Sequence, residues 1–327
     1  MNKKYEASYV YAFTSSEGKD KAHGNPALIV FGDPVEKDKQ IISKESKILL
    51  NDEMMKLPII CFIEPIENKE CEFNIKYRFC NGMPVNVCGH GSMAAAKAVV
   101  DKYNITKSCK LIFHLDQNFE ENRQFPILGI RTDGKIFTIE FDDVKIWNIS
   151  DNHPVSQLFY KHFKSIIPGS VYETKLNDYI FVCANADDVR NVNLFEKGVK
   201  KVREFKSNYR GIMVVAPSNK QGYDYETTVF SDGLPGPLYK DPACGSANKE
   251  IPQLLKVNNI FPERFKTDIE HFKMFYPFRY SELGIMGGIQ TVEYKHKEGI
   301  IFVSGSAEIG DRVWLEVDKN SLYFNKR

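Results

Sequence analysis

The amino-acid sequence predicts an α+β protein of two domains in which strands outnumber helices. The chain has 327 residues, more than one compact core usually holds, so two domains of about 150 residues each are expected. Short runs of β-branched and aromatic residues recur along the whole chain, which is typical of strands. Each half also contains one Cys–Gly turn, at Cys88 and at Cys244, directly before a predicted helix.

The strand predictions rest on short apolar runs, some with clear alternation of apolar and polar residues. The segments with this pattern are Tyr9–Phe13, Ala27–Phe31, Ile59–Ile63, Phe73–Phe79, Ile136–Phe141, Tyr179–Cys183, Gly211–Ala216, Glu226–Phe230, Gly288–Tyr294, Ile300–Val303 and Asp311–Val317. They occur in both halves of the chain, so we expect each half to contain a sheet.

Three segments predict helices: Ser92 to about Tyr103, around Val189 to Phe205, and Ala247 to about Lys256. Asp187 and Asp188 are the predicted caps of the second helix. Pro252 should kink the third helix or end its first part, because proline removes a helical hydrogen bond.

The connection between Trp147 and Pro154 is polar and rich in turn residues, which suits a domain boundary. We therefore predict one domain over residues 1–147 and a second over 154–327, with the last strand able to pack back onto the first half. Both halves follow one order: several strands, then a Cys–Gly turn, then a helix.

The composition argues against several classes of partner. Hydrophobic residues make up 43% and charged residues 27% of the chain, as in an ordinary globular protein. The net charge of +1 gives no electrostatic reason to expect nucleic acid or an anionic membrane. No apolar run reaches the roughly 18 residues that span a bilayer, and the residues after Met1-Asn2-Lys3-Lys4 lack the apolar stretch of a signal peptide.

The seven cysteines show no paired spacing, so we predict reduced thiols and a cytoplasmic protein. Cys61, Cys109 and Cys183 lie in apolar or strand contexts and are interpreted as small buried side chains. The sequence has no metal-ligand spacing such as Cys-x-x-Cys or His-Glu-x-x-His. We therefore expect no metal.

The two Cys–Gly turns carry the chemistry that the sequence predicts. They read Val87-Cys88-Gly89-His90-Gly91-Ser92 and Asp241-Pro242-Ala243-Cys244-Gly245-Ser246-Ala247. At a helix N-terminus, free backbone N–H groups and the helix dipole stabilise a thiolate. Two such thiols facing one another would take a proton from one side of a carbon and return it from the other, which is the chemistry of a racemase.

The residues around the two thiols fit a site for a carboxylate. His90 and Asp241 are the candidate acid/base partners or orienting groups. The absence of side chains at the glycines lets the backbone approach a ligand, and backbone N–H groups would bind its carboxylate. Asn25, in the turn Gly24-Asn25-Pro26-Ala27, would either bind substrate or cap a strand. The candidate substrate-binding residues are Asn25, Gly89, Gly91, Gly245 and Ser246.

A structural interpretation of the same residues stays open. Taken alone, Cys88 could belong to a structural turn, and Asp241-Pro242 could be only a helix-entry cap before Cys244. The two turns together are less easily explained by chance, because each precedes a predicted helix in its own half.

Several motifs together resemble the PhzF-like family of phenazine-biosynthesis proteins, within the diaminopimelate epimerase-like superfamily. The matching motifs are Ala12-Phe13 leading to Gly24-Asn25-Pro26-Ala27, Tyr77-Arg78-Phe79 leading to Cys88-Gly89-His90, Lys240 to Ala247, and Gly310 to Val313. The resemblance implies two similar halves, each a curled antiparallel sheet around a central helix, with the active site in the cleft between them. It also implies a cofactor-independent isomerase, often a homodimer, in which His90, Asp241, Gly245 and Ser246 match positions that line the family's site.

The chain departs from the family pattern at two places. The family's acid/base glutamate falls on Ile59 here, or on Pro58 if the register slips, and Glu53 lies upstream. Where phenazine enzymes carry Val-Thr-Gly-Ser, this chain has Ala243-Cys244-Gly245-Ser246, which is closer to the cysteine pairs of diaminopimelate epimerase and proline racemase.

The sequence therefore predicts an isomerase of the racemase or epimerase type that acts on a small carboxylic acid, with Cys88, Cys244, His90 and Asp241 as its catalytic residues. The alternative is a catalytically silent binding or scaffold protein that kept the fold, because an isoleucine cannot move a proton.

Overall fold

The computed structural model describes residues 3–15, 23–32, 59–79, 84–118, 126–162, 166–191, 199–202, 209–231, 239–257, 261, 271–281, 284–317 and 322–326. The strands are β1 Lys3–Thr14, β2 Asn25–Phe31, β3 Ile60–Pro65, β4 Glu72–Arg78, β5 Pro84–Val85, β6 Cys109–Leu115, β7 Ile127–Thr132, β8 Ile136–Asp142, β9 Ile146–Asn148, β10 Ile166–Thr174, β11 Asp178–Cys183, β12 Gly211–Pro217, β13 Tyr225–Ser231, β14 Tyr239–Asp241, β15 His271–Ser281, β16 Gly284–Lys295, β17 Ile300–Val317 and β18 Leu322–Lys326. The helices are α1 Gly89–Lys102, α2 Pro154–His162, α3 Ala186–Arg190 and α4 Ile251–Val257, with a 3-10 helix at Ser246–Lys249. The described residues thus form mostly strands with few helices, and every predicted strand segment lies on an observed strand. Some strands are longer than predicted: β1 begins six residues before Tyr9, and the two predicted segments Ile300–Val303 and Asp311–Val317 belong to the single strand β17.

The chain divides into two compact units. Unit 1 consists of Met1–Ser15, His23–Glu140 and Ser304–Arg327, and unit 2 contains Phe141–Val303. The C-terminal part of β17 pairs antiparallel with β1, from Thr14 opposite Ser306 to Lys3 opposite Val317.

Unit 1 is a mixed sheet around a buried helix. β1 pairs antiparallel with β2, β2 runs parallel to β3, β3 antiparallel to β4, and β4 parallel to β6. Helix α1 is buried on almost every side and packs against β1, β2 and β3. Its Ala94-Ala95-Ala96 run has side chains small enough to let backbones approach closely, and a helix that is apolar all round belongs in a core.

Unit 2 repeats the same order of pairings. β10 is antiparallel to β11, β11 parallel to β12, β12 antiparallel to β13, and β13 parallel to β15. Its core includes Phe159 and Phe181, whose stacked rings have centroids 3.5 Å apart.

The sheets in both units are mixed, which corrects the purely antiparallel sheets that the family resemblance implied. Parallel neighbours need a long crossover connection, and periodicity along a strand does not reveal which strand lies beside it. The crossover from β4 to β6 contains Cys88 and α1, and the crossover from β13 to β15 contains Cys244, the 3-10 helix and α4.

The predicted helices are confirmed only in part. α1 begins at Gly89, three residues before its predicted start at Ser92. α3 ends at Arg190, because Asn191 has left the helical region with ψ of 77°, although residues 199–202 are helical again. Its cap is Asn185, whose Oδ1 accepts a hydrogen bond from the Asp187 N–H at 2.9 Å, so Asp187 and Asp188 lie in the first turn.

Pro252 follows a break in the third predicted helix, as predicted, because the first part of that helix ends at Lys249 and α4 begins at Ile251. It lies in the first turn of α4, where its missing N–H has no helical partner to lose. Helix α2, beginning at Pro154, was not predicted at all, and it buries Val155 and Phe159 in the core of unit 2. None of the helices in the described part of the chain combines the length and apolar character needed to cross a membrane.

Candidate active site

The Cys88 turn begins helix α1. Cys88 is the N-cap residue, with φ of −133° and ψ of 111°, the extended conformation that N-cap residues adopt. Its carbonyl oxygen accepts hydrogen bonds from Ser92 N at 2.8 Å and from Ser92 Oγ at 2.6 Å. The Tyr77 hydroxyl on β4 lies 2.6 Å from the same Ser92 Oγ. A strand residue and the first helical turn therefore hold the Cys88 backbone in place.

The Cys88 thiol lies against the imidazole of His90. Cys88 Sγ is 3.3 Å from His90 Nδ1. Burial lowers the pKa of His90 to about 3, because the protonated ring would lose its hydration. The imidazole is therefore neutral at pH 7 and serves the thiol as an uncharged hydrogen-bonding partner.

Gly91 leaves room for two sulfur atoms. A Cβ built on Gly91 would lie 2.9 Å from Cys61 Sγ and 3.3 Å from Cys88 Sγ, closer than side chains pack. Cys61 is fully buried, as predicted, and burial raises the pKa of its thiol, with a further contribution from Cys88. Gly91 thus has a steric role that does not require a ligand.

The Cys244 turn follows β14. Asp241 is buried, and its Oδ1 accepts a hydrogen bond from Ala243 N at 3.1 Å, which shapes the backbone before the cysteine. The hydroxyl of Tyr276 on β15 donates to the Cys244 carbonyl at 2.6 Å. Cys244 Sγ lies 3.3 Å from Ser246 Oγ. Asp241, Cys244 and Ser246 therefore belong to one local arrangement.

Cys244 does not begin an α-helix, which corrects the expectation of an α-helix from Ala247 directly after the Cys–Gly turn. The residues after it form a 3-10 helix at Ser246–Lys249 capped by Gly245, and Glu250 then separates it from α4. A single 3-10 turn has few aligned peptide dipoles. The helix-terminus stabilisation predicted for both thiols applies to Cys88 only.

Side chains dominate the electrostatics at Cys244. The pKa of its thiol lies well above the ordinary value, first because the thiol is buried and second because Asp241 is negative. Hydrogen bonds from Ser246 and the Ala247 N–H, and the positive charge of Arg210, act in the opposite direction. Cys244 is therefore a protonated thiol at neutral pH.

Three further side chains fix the Cys244 turn, and sequence analysis did not single them out. The Tyr225 hydroxyl on β13 donates to Asn248 Oδ1 at 2.7 Å, and Asn248 Nδ2 donates to Gln290 Oε1 on β16. All three residues are fully buried. The burial of Gln290 could have been predicted from the sequence, because Gln290 alternates with the apolar Val292 and Tyr294 and so lies on the same, buried face of its strand. Nothing in the local pattern pairs it with Asn248.

Asn25 is the first residue of β2, is fully buried and pairs with Ala12 on β1. Gly24 before it has φ of +78°, and a Cβ there would lie 2.0 Å from the Ala12 carbonyl oxygen. Glycine is required at this position by both conformation and space.

Ile59, one of the two positions at which the sequence analysis expected the family's glutamate, is an apolar core residue. Ile59 is 1% exposed, and its carbonyl accepts a hydrogen bond from Leu28 N at 3.1 Å. Glu53 and Pro58 lie outside the described residues. Ile59 contributes packing and no acid/base group.

The predicted site residues thus form two local groups, Cys88 with Gly89, His90 and Gly91 in unit 1, and Asp241 with Cys244, Gly245 and Ser246 in unit 2. Of the remaining cysteines, Cys183 is buried as expected, whereas Cys109 is partly exposed because it begins β6. Among the described residues, no group of three or more His, Cys, Asp or Glu side chains has the geometry to hold a metal ion.

Solved structures share this fold. A phenazine biosynthesis protein of the PhzF family from Enterococcus faecalis has a TM-score of 0.62 at 18% identity, covering 97% of this chain and 100% of that chain. The PhzF-family phenazine biosynthesis protein of Bacillus anthracis has a TM-score of 0.61 at 15% identity, covering 97% and 99%. A hydroxyproline epimerase from Agrobacterium vitis, with bound trans-4-hydroxy-L-proline, has a TM-score of 0.54 at 9% identity, covering 97% and 93%. These similarities define the fold class, that of PhzF-type proteins and amino-acid epimerases.

The family follows from the sequence itself. The PhzC-PhzF family model, described as phenazine biosynthesis-like protein, matches residues 10–308. The chain therefore belongs to the PhzC-PhzF family, as the sequence motifs predicted. A sequence search of curated proteins gives no match.

Proposed function

We propose that this protein is a cofactor-independent isomerase that moves a proton at the carbon next to a carboxylate, with Cys88 and Cys244 as the two proton carriers. The observation that carries the proposal is the contact of 3.3 Å between Cys88 Sγ and His90 Nδ1 at the N-terminus of α1. A thiol at a helix N-terminus is stabilised as thiolate, and the neutral imidazole of His90 orients the sulfur through a hydrogen-bonding contact. Family membership supports the same class of reaction.

The two turns supply the two protonation states that such a reaction needs. In one direction, the Cys88 thiolate removes the proton from the α-carbon, and the electron pair moves into the carboxylate to give an enediolate. The Cys244 thiol, kept protonated by burial, then donates its proton to the α-carbon and becomes a thiolate. The reverse direction exchanges the two roles, and proton exchange with water resets the pair.

The backbone N–H groups at the start of α1 are the candidate donors to the developing negative charge. Gly89 and Gly91 have no side chain to block the approach of a ligand, and the positive end of the α1 dipole favours a carboxylate. Donors aimed at an oxyanion are each worth about 3–4 kcal/mol in such sites. Gly245, Ser246 and Asn25 complete the proposed substrate contacts, and Asp241 orients the second turn through Ala243 N.

The test is incorporation of deuterium at the α-carbon of small amino and hydroxy acids in D₂O, followed by NMR. We expect Cys88→Ser and Cys244→Ser each to slow the exchange by about 10²–10⁴-fold. Cys109→Ser removes a partly exposed thiol outside both turns and serves as the matched control. Exchange that survives both single substitutions, or no exchange with any acid tested, would contradict the proposal.

A second candidate function is a binding protein without turnover, and Ile59 favours it. The buried Ile59 leaves no proton carrier where the family has its glutamate. This function predicts saturable binding of a small carboxylic acid without deuterium exchange, together with unreactive thiols at Cys88 and Cys244. Calorimetric titration of any acid that binds, next to the exchange assay, separates the two functions.

A further inference from the structure

A buried ion cluster lies beside the Cys244 turn and has no role in the chemistry described so far. Arg210 Nε donates to both carboxylate oxygens of Asp178, at 2.9 and 3.1 Å, and Arg210 Nη2 donates to Asp178 Oδ2 and, at 2.8 Å, to Glu250 Oε1. The two carboxyl groups are 1% and 0% exposed, whereas the Arg210 side chain is 39% exposed. One guanidinium therefore binds two buried carboxyl groups from different parts of unit 2.

The cluster holds the far end of the Cys244 turn. Glu250 directly follows the 3-10 helix, and its N–H donates to the Ala247 carbonyl at 3.2 Å. Asp178 is the first residue of β11 and pairs with Gly211 on β12, directly after Arg210. Arg210 thus ties the segment that contains Cys244 to two central strands of the unit 2 sheet.

Glu250 adds little negative charge to the cluster. Burial and the neighbouring Asp178 raise the pKa of Glu250 well above its ordinary value, although Arg210 and Lys249 oppose this. Its Oε2 is buried and has no hydrogen-bond partner among the described residues, and a neutral carboxyl group costs less to bury there than a carboxylate. Arg210 is therefore balanced mainly by Asp178.

The described groups that act on the Cys244 thiol include two charged side chains and one tyrosine. Asp241, from β14, disfavours the thiolate, whereas Arg210, at the start of β12, favours it. Tyr276, from β15, senses the charge of Cys244 and donates to its carbonyl. Asp178 and Glu250 are the carboxyl groups bound to Arg210. Removing Arg210 would leave Asp241 as the main neighbouring charge.

We propose that Arg210 is a positioning residue for Cys244, fixing the turn through Glu250 and placing a lasting positive charge beside the thiol so that its thiolate is accessible during turnover. The role in turnover rests on the proposed isomerase function. The electrostatic role of Arg210 can be measured without any substrate, so this proposal and the proposed isomerase function can fail separately.

The experiment is alkylation of Cys244 by iodoacetamide between pH 7 and pH 10, followed by peptide mapping. Only the thiolate reacts, so the rate at a fixed pH falls tenfold for each unit by which the pKa rises. We expect Arg210→Met to slow alkylation by about tenfold, and Arg210→Lys, which keeps the charge, to recover most of the wild-type rate. Arg190→Met is the matched control, because Arg190 also binds a buried carboxylate, that of Glu226, in the same unit. It should leave the Cys244 rate unchanged.

Asp178→Asn, made in a Glu250→Gln background so that Glu250 cannot ionise in place of Asp178 and compared with Glu250→Gln alone, provides the opposite sign. It leaves the charge of Arg210 less neutralised, so we expect alkylation of Cys244 to be faster by about threefold. A purely structural role of Arg210 does not predict that this substitution and Arg210→Met change the rate in opposite directions. The fully buried Cys183, followed in the same digest, reports any opening of unit 2. A Cys244 rate that does not fall in Arg210→Met while Cys183 stays protected overturns the proposal. If Arg210→Met exposes Cys183, the decision falls to Asp178→Asn, and a rate that does not rise in that variant overturns the proposal as well.

Discussion

The Cys88 turn and the Cys244 turn occupy the same place in the strand order of their units, yet different interactions stabilise them. Each lies on the crossover between two parallel strands, β4 and β6 in unit 1 and β13 and β15 in unit 2. In both, a hydroxyl group donates to the carbonyl of the cysteine: that of Ser92 in unit 1 and that of Tyr276 in unit 2. The carbonyl of each cysteine therefore accepts a hydrogen bond from a hydroxyl group, but the donor lies four residues away in unit 1 and on a distant strand in unit 2.

The two turns differ most in charge. The Cys88 thiol has a neutral histidine beside it and a fourteen-residue α-helix behind it. The Cys244 thiol has only a 3-10 turn, and Asp241 and Arg210 supply its electrostatics. The comparison teaches that a Cys–Gly pair does not by itself define the environment of its thiol, because that environment depends on whether a full helix follows.

The largest expected effect is the loss of stability at acidic pH that the buried, neutral His90 causes in the Cys88 turn. Folded His90 stays neutral down to pH of about 3, whereas unfolded His90 takes up a proton near pH 6.5. The unfolded state therefore binds more protons at acidic pH, and His90 costs about 2 kcal/mol of stability between pH 6.5 and pH 4.5. His90→Asn removes this titration. We measure the unfolding free energy of the wild type and of the variant in urea at pH 6.5 and at pH 4.5. Between these two pH values, the variant should gain stability relative to the wild type by that amount. An equal gap at both pH values would contradict a buried neutral histidine.

Steric pressure on the two sulfurs of unit 1 should have a smaller effect. Gly91→Ala places a Cβ against Cys61 Sγ and Cys88 Sγ, and overpacking costs about 1–3 kcal/mol, partly offset by the better helix propensity of alanine. Cys61→Ala in the same chain should recover most of the loss. Gly129→Ala is the control, because its Cβ would meet only the flexible end of Lys110. Thermal unfolding of the wild type and the three variants checks this, and equal losses for Gly91→Ala and Gly129→Ala would disprove it.

The smallest expected effect separates the two hydroxyl donors. Tyr276→Phe removes the donor to the Cys244 carbonyl, and Ser92→Ala removes the partner of the buried Tyr77 hydroxyl, each at about 1–2 kcal/mol. Adding Tyr77→Phe to Ser92→Ala should recover part of that loss, because no buried hydroxyl is then left unpaired. No side-chain change can do the same for Tyr276→Phe, since its partner is a backbone carbonyl. Denaturant unfolding of the single and double variants measures the difference, and purely additive losses at Tyr77 and Ser92 would argue against the shared hydrogen bond.

Much of the fold was readable from local patterns. The predicted strands follow from short apolar runs, and α1 follows from its alanine-rich segment after Cys88. The parallel pairing of β4 with β6 was not readable, because strands with the same periodicity accept neighbours of either direction. The helix around Pro252 was readable only in part. The sequence predicted a kink or a break there, but it did not reveal that the first part is a 3-10 helix or that α4 begins at Ile251.

The candidate site divides in the same way. The sequence by itself determined what lies within two or three residues of each thiol, namely His90 at Cys88 and Asp241 and Ser246 at Cys244, because a tight turn brings such neighbours together in any fold. Only the tertiary structure decided that Tyr276, Arg210 and Asp178 meet the Cys244 turn and that Ile59 is a core residue. These residues come from distant strands, and their contacts arise from the packing of the sheet, which no local pattern records.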